Sequence, residues 1–187
     1  MSYITVEEVG SQRLDRLNKV LAGIPGGAVK AGYNALKRAG QKANTKSGQF
    51  VAARYTLSKS QFMSHVTQKT KVSGGSGGIA SLSLSYAGSV IDLLEYTTRI
   101  SKTGGISVSV KKGGGGTFPH AFVASMYGKT NIYERTGTSR FPVKQLFGPS
   151  AGSLMKNEEI IEEMSEVIDE TFSERMEHEM LRLLNGW

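Results

Sequence analysis

The chain predicts an α+β fold, on three observations: apolar residues at helical spacing near the N-terminus, period-two alternation from Val66 onward, and a long amphipathic stretch at the C-terminal end. Helices come first, strands follow and one long helix closes the chain, so the two element types are segregated rather than alternated. At 187 residues the expectation is a single domain. It comprises a helical N-terminal part over 1–57, an antiparallel or mixed β-sheet part with long Gly-rich loops over 66–150, and a C-terminal helix over 157–184.

In SQRLDRLNKVLA, residues 11–22, Leu14, Leu17 and Leu21 share one helical face and Ser11 is the expected N-cap. GIPGG interrupts. A second helix is expected from about Ala28 to Thr45, burying Val29, Tyr33, Leu36, Ala39 and Ala43 and leaving Lys30, Lys37, Arg38 and Lys42 in water. Gly32 and Gly40 weaken it by about 1 kcal/mol each relative to Ala. KSGQF reads as a stop and a turn, and a short helix follows around Lys59–Ser64.

VTQKTKV and the run Ser81–Leu82–Ser83–Leu84–Ser85 alternate as strands, joined by a mobile SGGSGG loop. VIDLLEY leads to GGISVSVKK, alternating at Ile106, Val108 and Val110, and Gly113–Gly116 form a second mobile loop. HAFVASMY and KTNIYERT pair through Gly128-Lys129. SRFPVKQLFGPS closes the sheet at an edge or strand start, because Pro142 has no N–H to donate. In the last helix Asn157 is the N-cap, and Glu158 and Glu159 sit where the helix dipole favours acids. Ile160, Ile161, Met164, Val167, Ile168, Phe172, Met176, Met180, Leu183 and Leu184 make one apolar face over about 28 residues, roughly 40 Å, before Asn185-Gly186.

No run of eighteen apolar residues is present, which argues against a membrane span. MSYITVEEVG lacks the basic patch and apolar block of a signal peptide, and with no cysteine there is no disulfide, thiolate nucleophile or cysteine zinc site. A cytoplasmic product, or one assembled there, is the simplest reading. Net charge is +7, unevenly spread: residues 151–187 hold three Lys/Arg against ten Asp/Glu, and the first 150 residues hold twenty against six. Such a body either neutralises nucleic-acid phosphates, meets the acidic helix of a neighbouring copy, or is a solvated surface.

Catalytic patterns are missing. His65, His120 and His178 fall in three different elements, and His178-Glu179 lacks the second histidine of an HExxH zinc site. Gly128-Lys129-Thr130 ends like a phosphate loop, but Val123 stands where its first glycine belongs. Glu159, Glu162, Glu163 and Glu166 form an acidic stripe whose mutual repulsion a basic partner would relieve; they read as an interaction face or a solvated one, not as a glycosidase pair. No catalytic, cofactor or metal site is expected.

FPHAFVASM, NIYERTGTSRFPVKQLFGPS and the acidic helix ending ERMEHEMLRLL together resemble the minor tail protein Z family of phages and prophages, and more loosely the tail-completion and head–tail joining proteins. The resemblance covers about residues 117–187, carried by Phe118, Phe122, Arg135-Thr136-Gly137 and the LFGPS motif. It implies a non-enzymatic virion protein of the neck, a hexameric ring that completes the tail and joins it to the head. Tail tube, sheath or terminator and head connector proteins would be its partners, with genomic DNA passing through and no membrane.

Within that setting Pro142 and Pro149, each with φ held at about −65°, and Gly148, permitting a sharp turn, stiffen the segment before the helix. Val143, Leu146 and Phe147 are the expected core anchors, with Arg140 and Lys144 pointing outward, so that the connector sets the angle at which the acidic helix leaves the sheet. The residues expected at interfaces are Arg140, Lys144, Phe147, Glu159, Glu162, Glu163 and Glu166. The alternative is a basic DNA-binding protein that contacts the nucleic-acid backbone.

Overall fold

Small side chains on one face of a long helix organise the first part of the structure. In this computed structural model, which describes residues 2–6, 19, 26–74, 80–101, 104–126 and 128–185, helix α1 spans Gly27–Arg54. Its buried face is Ala28, Ala31, Ala35, Leu36, Ala39 and Ala43, continued by Ser47 and Gly48. Tyr33 is 39% exposed and Val29 half-buried, so the expected stripe is corrected by one step around the helix, from β-branched and aromatic positions to alanines. Lys30, Lys37 and Arg38 are exposed as expected, and Lys42 is half-buried. The expected stop at KSGQF is also overturned: Lys46–Phe50 is helical. Gly48 serves close packing there, since a Cβ on it would lie 2.9 Å from Lys59 Cγ. The expected helix over 11–22 with its Ser11 cap lies outside the described residues, apart from Lys19, which is helical and exposed.

The remaining elements, in chain order, begin with strand β1 (Ser2–Val6), which precedes α1. After α1 come helix α2 (Lys59–His65) and strands β2 (Val66–Gly74), β3 (Ala80–Gly88) and β4 (Val90–Asp92), then a 3₁₀ turn (Leu93–Glu95). Strands β5 (Thr97–Ile100), β6 (Ile106–Ser109), β7 (Gly116–Phe118), β8 (Ala121–Met126), β9 (Lys129–Arg135), β10 (Val143–Gln145) and β11 (Phe147–Ser150) follow. Short helix α3 (Ala151–Leu154) and long helix α4 (Glu158–Leu184) close the chain. The strands form four small sheets with orders β1-β3-β2, β10-β9-β8, β11-β4 and β5-β6-β7, and the α+β class is what the sequence predicts.

Two compact units emerge, the first from the described residues of Met1–Ser47, Gln68–Tyr86 and Met155–Trp187, the second from Gly48–Thr67 and Ala87–Leu154. In the first, β3 alternates as its Ser-Leu pattern demands, with Leu82, Leu84 and Tyr86 wholly buried and the serines between them half-buried. Gly40 lets β3 approach α1: an added Cβ would sit 2.9 Å from Leu82 Cδ1 and 3.1 Å from Thr70 Cγ2. Helix α4 begins as expected, the Asn157 side chain accepting a hydrogen bond from Glu159 N. Its buried face runs from Ile160 to Met176 and includes Thr171. The expected apolar face is longer than the buried one, since Leu184 is exposed and Met180 and Leu183 half-buried. Glu179 accepts from Asn34 Nδ2 at 3.1 Å and from Arg182. Burial pushes its carboxyl up, but those two donors together outweigh it and hold the group below its ordinary range.

In the second unit Ser58 and Gln61 close a capping box on α2, each side chain accepting the other's backbone N–H, at 3.2 and 2.9 Å. Phe62 then points into the core. Strands β5, β6 and β7 form an antiparallel meander that buries Ile106 and Val108, the alternation read from ISVSV. Gly113–Gly116, expected as a mobile loop, instead makes a tight turn: Gly113 has φ +77°, Gly114 N donates to Lys111 O at 3.1 Å, and Gly116 already belongs to β7. Of SGGSGG, Ser73 and Gly74 lie in β2 and residues 75–78 lie outside the described residues. Strands β8 and β9 are joined through Gly128 at φ +78°.

Two outcomes follow. Gly88→Ala places a methyl against the His65 carbonyl oxygen and the Ala151 Cβ; we expect a loss of about 1–3 kcal/mol in urea unfolding, whereas Gly137→Ala, with open space around it, changes stability little. Tyr86, wholly buried and donating to Asn44 Oδ1 at 2.6 Å, has its hydroxyl pushed up from 10.0 by burial, offset in small part by Ser47. Neutral Tyr86 therefore stabilises the fold fully below about pH 10, and that contribution falls as pH rises beyond it. Unfolding midpoints measured from pH 8 to 11 should drop above 10 in the wild type and less steeply in Tyr86→Phe.

Candidate interaction surface

The segment from Ser139 to Ser150 is divided between two sheets of the second unit. Pro142 immediately precedes β10, which is an edge strand paired with β9 in the register Val143↔Arg135, Lys144↔Glu134, Gln145↔Tyr133. That is the position expected for a residue without an N–H. Beyond Leu146 the chain leaves this sheet, and β11 pairs with β4 instead. Thr136 closes the β9–β10 loop, its N–H and hydroxyl both donating to Pro142 O, at 3.2 and 3.0 Å.

The anchors differ from expectation. Val143 and Leu146 are half-buried, but Phe147 is 48% exposed and is not a core anchor. In β11 it stands opposite Asp92, whose carboxylate accepts from Gln145 Nε2 at 3.1 Å. The glycine beside it is needed for space and not for a sharp turn, because Gly148 has no positive φ. A Cβ there would lie 2.5 Å from Tyr96 Cε2. Tyr96 packs across that gap and its hydroxyl donates to Pro149 O at 3.3 Å. Burial, and secondarily the Glu95 carboxylate, push the Tyr96 hydroxyl well above its ordinary range, so it is a permanent donor at neutral pH. FGPS is thus a seat for a tyrosine ring. Arg140 and Lys144 do point outward, and Lys144 forms an ion pair with Glu134 at 3.0 Å.

Strand register places cations beside aromatics. Phe122 stands opposite Tyr133 with ring centroids 6.4 Å apart, and Arg135, two residues beyond Tyr133, shares their face. Its guanidinium lies 5.2 Å from the Phe122 ring centroid. In the adjoining loop Arg140 lies 5.7 Å from the Phe141 centroid, and Phe141 is 61% exposed. Pro119, His120, Phe122, Arg135 and Thr136–Thr138 line an open groove of about 640 Å³. Phe122 and Arg135 belong to the pattern singled out in the sequence, but their pairing does not show there. The two-residue offset between Tyr133 and Arg135 was the available signal.

Charge separates differently from the sequence division at residue 150. Among the described residues the second unit holds nine Lys/Arg and three Asp/Glu, a net +6, whereas the first holds eleven and ten, a net +1. All three acids of the second unit are engaged: Asp92 with Gln145, Glu134 with Lys144, and Glu95 with His65 Nε2 at 2.8 and 3.0 Å. Through Glu95 this histidine ties the end of α2 to the 3₁₀ turn, and its Nδ1 lies 3.4 Å from Ser89 Oγ. Arg99, Lys129, Arg135 and Arg140 have no carboxylate partner among the described residues.

The carboxylates of α4 belong to the first unit. Glu159, Glu162 and Glu166 are exposed and Glu163 is half-buried. Glu174 reaches Lys42 at 3.9 Å and Glu179 is held by Asn34 and Arg182, while Glu162 and Glu166 have no ion-pair partner among the described residues. Among the described residues no group of His, Asp and Glu has the arrangement to hold a metal ion, and no helix is long and apolar enough to cross a membrane.

The exposure of Phe147 sets the expected outcome of its truncation. Phe147→Ala should change the thermal midpoint by the equivalent of about 0.5 kcal/mol or less, whereas Gly148→Ala should cost about 1–3 kcal/mol because the Tyr96 ring must move. Thermal denaturation of the two variants in parallel checks both.

No curated protein and no solved structure matches the chain. A family model does, that of the prophage minor tail protein Z, over residues 12–185. With nearly its whole length covered, from ahead of α1 to the end of α4, this chain belongs to the prophage minor tail protein Z family, a family of phage tail structural proteins.

Proposed function

We propose that the protein is a non-enzymatic virion component of the neck, which assembles as a six-fold ring, completes the tail and joins it to the head connector. Residues 1–187 are read as a single tail-completion-like domain. Its neighbours in the particle are the tail tube or sheath, or a tail terminator, on one side and the head connector on the other, with the genome passing through. Assembly takes place in the host cytoplasm.

The observation that carries this reading is the unequal charge of the two units. A cationic unit with every acid already engaged and a helix with exposed carboxylates on the other unit make a chain complementary to copies of itself. Contact between unlike surfaces is head-to-tail, and such contacts close into rings when the rotation between copies permits.

Direct contact with DNA is the second reading, and the same excess of unpaired cations favours it. Salt separates the two. Release of counterions makes DNA affinity fall steeply with ionic strength. A ring that holds proteins together retains its assembly near physiological salt. The test is complementation of a phage or prophage from which this gene is deleted, scored by electron microscopy. We expect heads and tails that remain unjoined without the protein and joined particles when it is supplied. Normal particles lacking this polypeptide would overturn the proposal.

A further inference from the structure

We propose that the groove beside Arg135, with the adjoining Arg140, receives the exposed carboxylates of helix α4 from a second copy of this chain. This assignment rests on the ring reading above and names the surfaces that make its contact.

The argument begins with how the two arginines are held. Each guanidinium is set against a phenylalanine ring, Arg135 at 5.2 Å from the Phe122 centroid and Arg140 at 5.7 Å from that of Phe141. Cation–π attraction of this kind engages the face of the ring and uses none of the guanidinium N–H donors. Those donors form the planar fork that matches a carboxylate. Stacking also fixes the side chain beforehand, so less rotamer freedom is lost on binding. Neither arginine has a carboxylate partner among the described residues, and the acid nearest in sequence, Glu134, is already paired with Lys144 at 3.0 Å.

The scaffold is also ordered by hydrogen bonds. Arg135 ends β9 in register with Val143, and the loop that carries Arg140 and Phe141 is closed by both bonds from Thr136 to Pro142 O. The groove lies entirely within the second unit, whose described residues carry a net charge of +6.

Charge complementarity selects the occupant. Glu162 and Glu166 are exposed, unpaired among the described residues, and one helical turn apart on α4. Together they present two carboxylates on one edge of a rigid rod, to two arginines presented from one strand end and its loop. The exposed Phe141 supplies apolar area beside the charges, the aromatic and arginine composition found at the centres of protein interfaces.

The test is sedimentation velocity of the full-length protein at about 0.15 M salt, where exposed charges are screened beyond about 8 Å and only close pairs persist. Near-ultraviolet circular dichroism of each variant checks that the fold is intact. Arg135→Glu with Arg140→Glu should weaken self-association by about tenfold or more, as should Glu162→Arg with Glu166→Arg. Combining all four substitutions should restore it, because the partners then exchange signs. Wild-type protein that associates while the charge-reversed variants associate equally overturns this inference and leaves the ring reading standing. Wild-type protein that stays monomeric at all concentrations overturns both. If Arg135→Glu with Arg140→Glu instead abolishes retention of a 30-base-pair duplex probe and leaves self-association unchanged, the groove is a phosphate site and the inference fails.

Discussion

Close approach of large side chains to the backbone of helix α1, at its glycine and alanine face, is the constraint on which the first unit depends. A helix whose buried side is Ala31, Ala35, Ala39 and Ala43 brings little apolar area of its own. It contributes nearness. Without a Cβ at Gly40, Leu82 and Thr70 reach the helix backbone, and without one at Gly32 the terminal carbon of Met176 lies at ordinary contact distance, 3.5 Å, from where it would be. The bulk is supplied by Leu82, Leu84 and Tyr86 of β3 and by Ile160, Met164, Ile168, Phe172 and Met176 of α4, each fully buried side chain of this kind stabilising by about 1.5–3 kcal/mol. Dense packing of large side chains against a small-residue surface is what interiors require.

The second unit is built on other terms. Its strands are short and fall into small sheets, and side chains bond to the backbone across elements to unite them. Thr56 accepts from Thr97 N at 3.2 Å and donates to the Ser109 carbonyl, linking the end of α1 to β5 and β6. His65 and Gln61 both hold the 3₁₀ turn through Glu95, and Tyr96 holds Pro149. Buried or half-buried polar bonds of this kind add modest net stability but penalise alternatives that leave them unmade, so they specify one arrangement. The same economy explains the electrostatics. With only three acids, all committed to internal partners, the unit retains an excess of cations at its surface.

Two arginines of the second unit lie over phenylalanine rings with no carboxylate partner among the described residues, and α4 carries exposed carboxylates. For a member of a family of phage tail structural proteins the informative features are surfaces: the groove beside Arg135, the exposed rings of Phe141 and Phe147, and the acidic edge of the last helix.

Periodicity alone determined much of this. The α+β class, the alternation of β3 and β6, the hairpin at Gly128, the edge position after Pro142 and the Asn157 cap were all legible, because each depends on neighbours within a few residues. The acidic stripe and the outward Arg140 and Lys144 were legible for the same reason, and the family through the segment around LFGPS. What only tertiary structure decided were matters of approach between distant segments. Gly48 reads locally as a helix stop, yet it lies inside α1, where Lys59 and Met63 take the space a Cβ would fill. Gly148 reads as a turn, yet it seats Tyr96, fifty-two residues earlier. Phe147 reads as core, yet in β11, opposite Asp92, it is exposed. The division of charge was likewise hidden, since the acidic helix is clustered with basic α1, and a linear count cannot know which segments will share a unit. Local chemistry sets which elements form; the space each side chain finds is a property of the assembled chain.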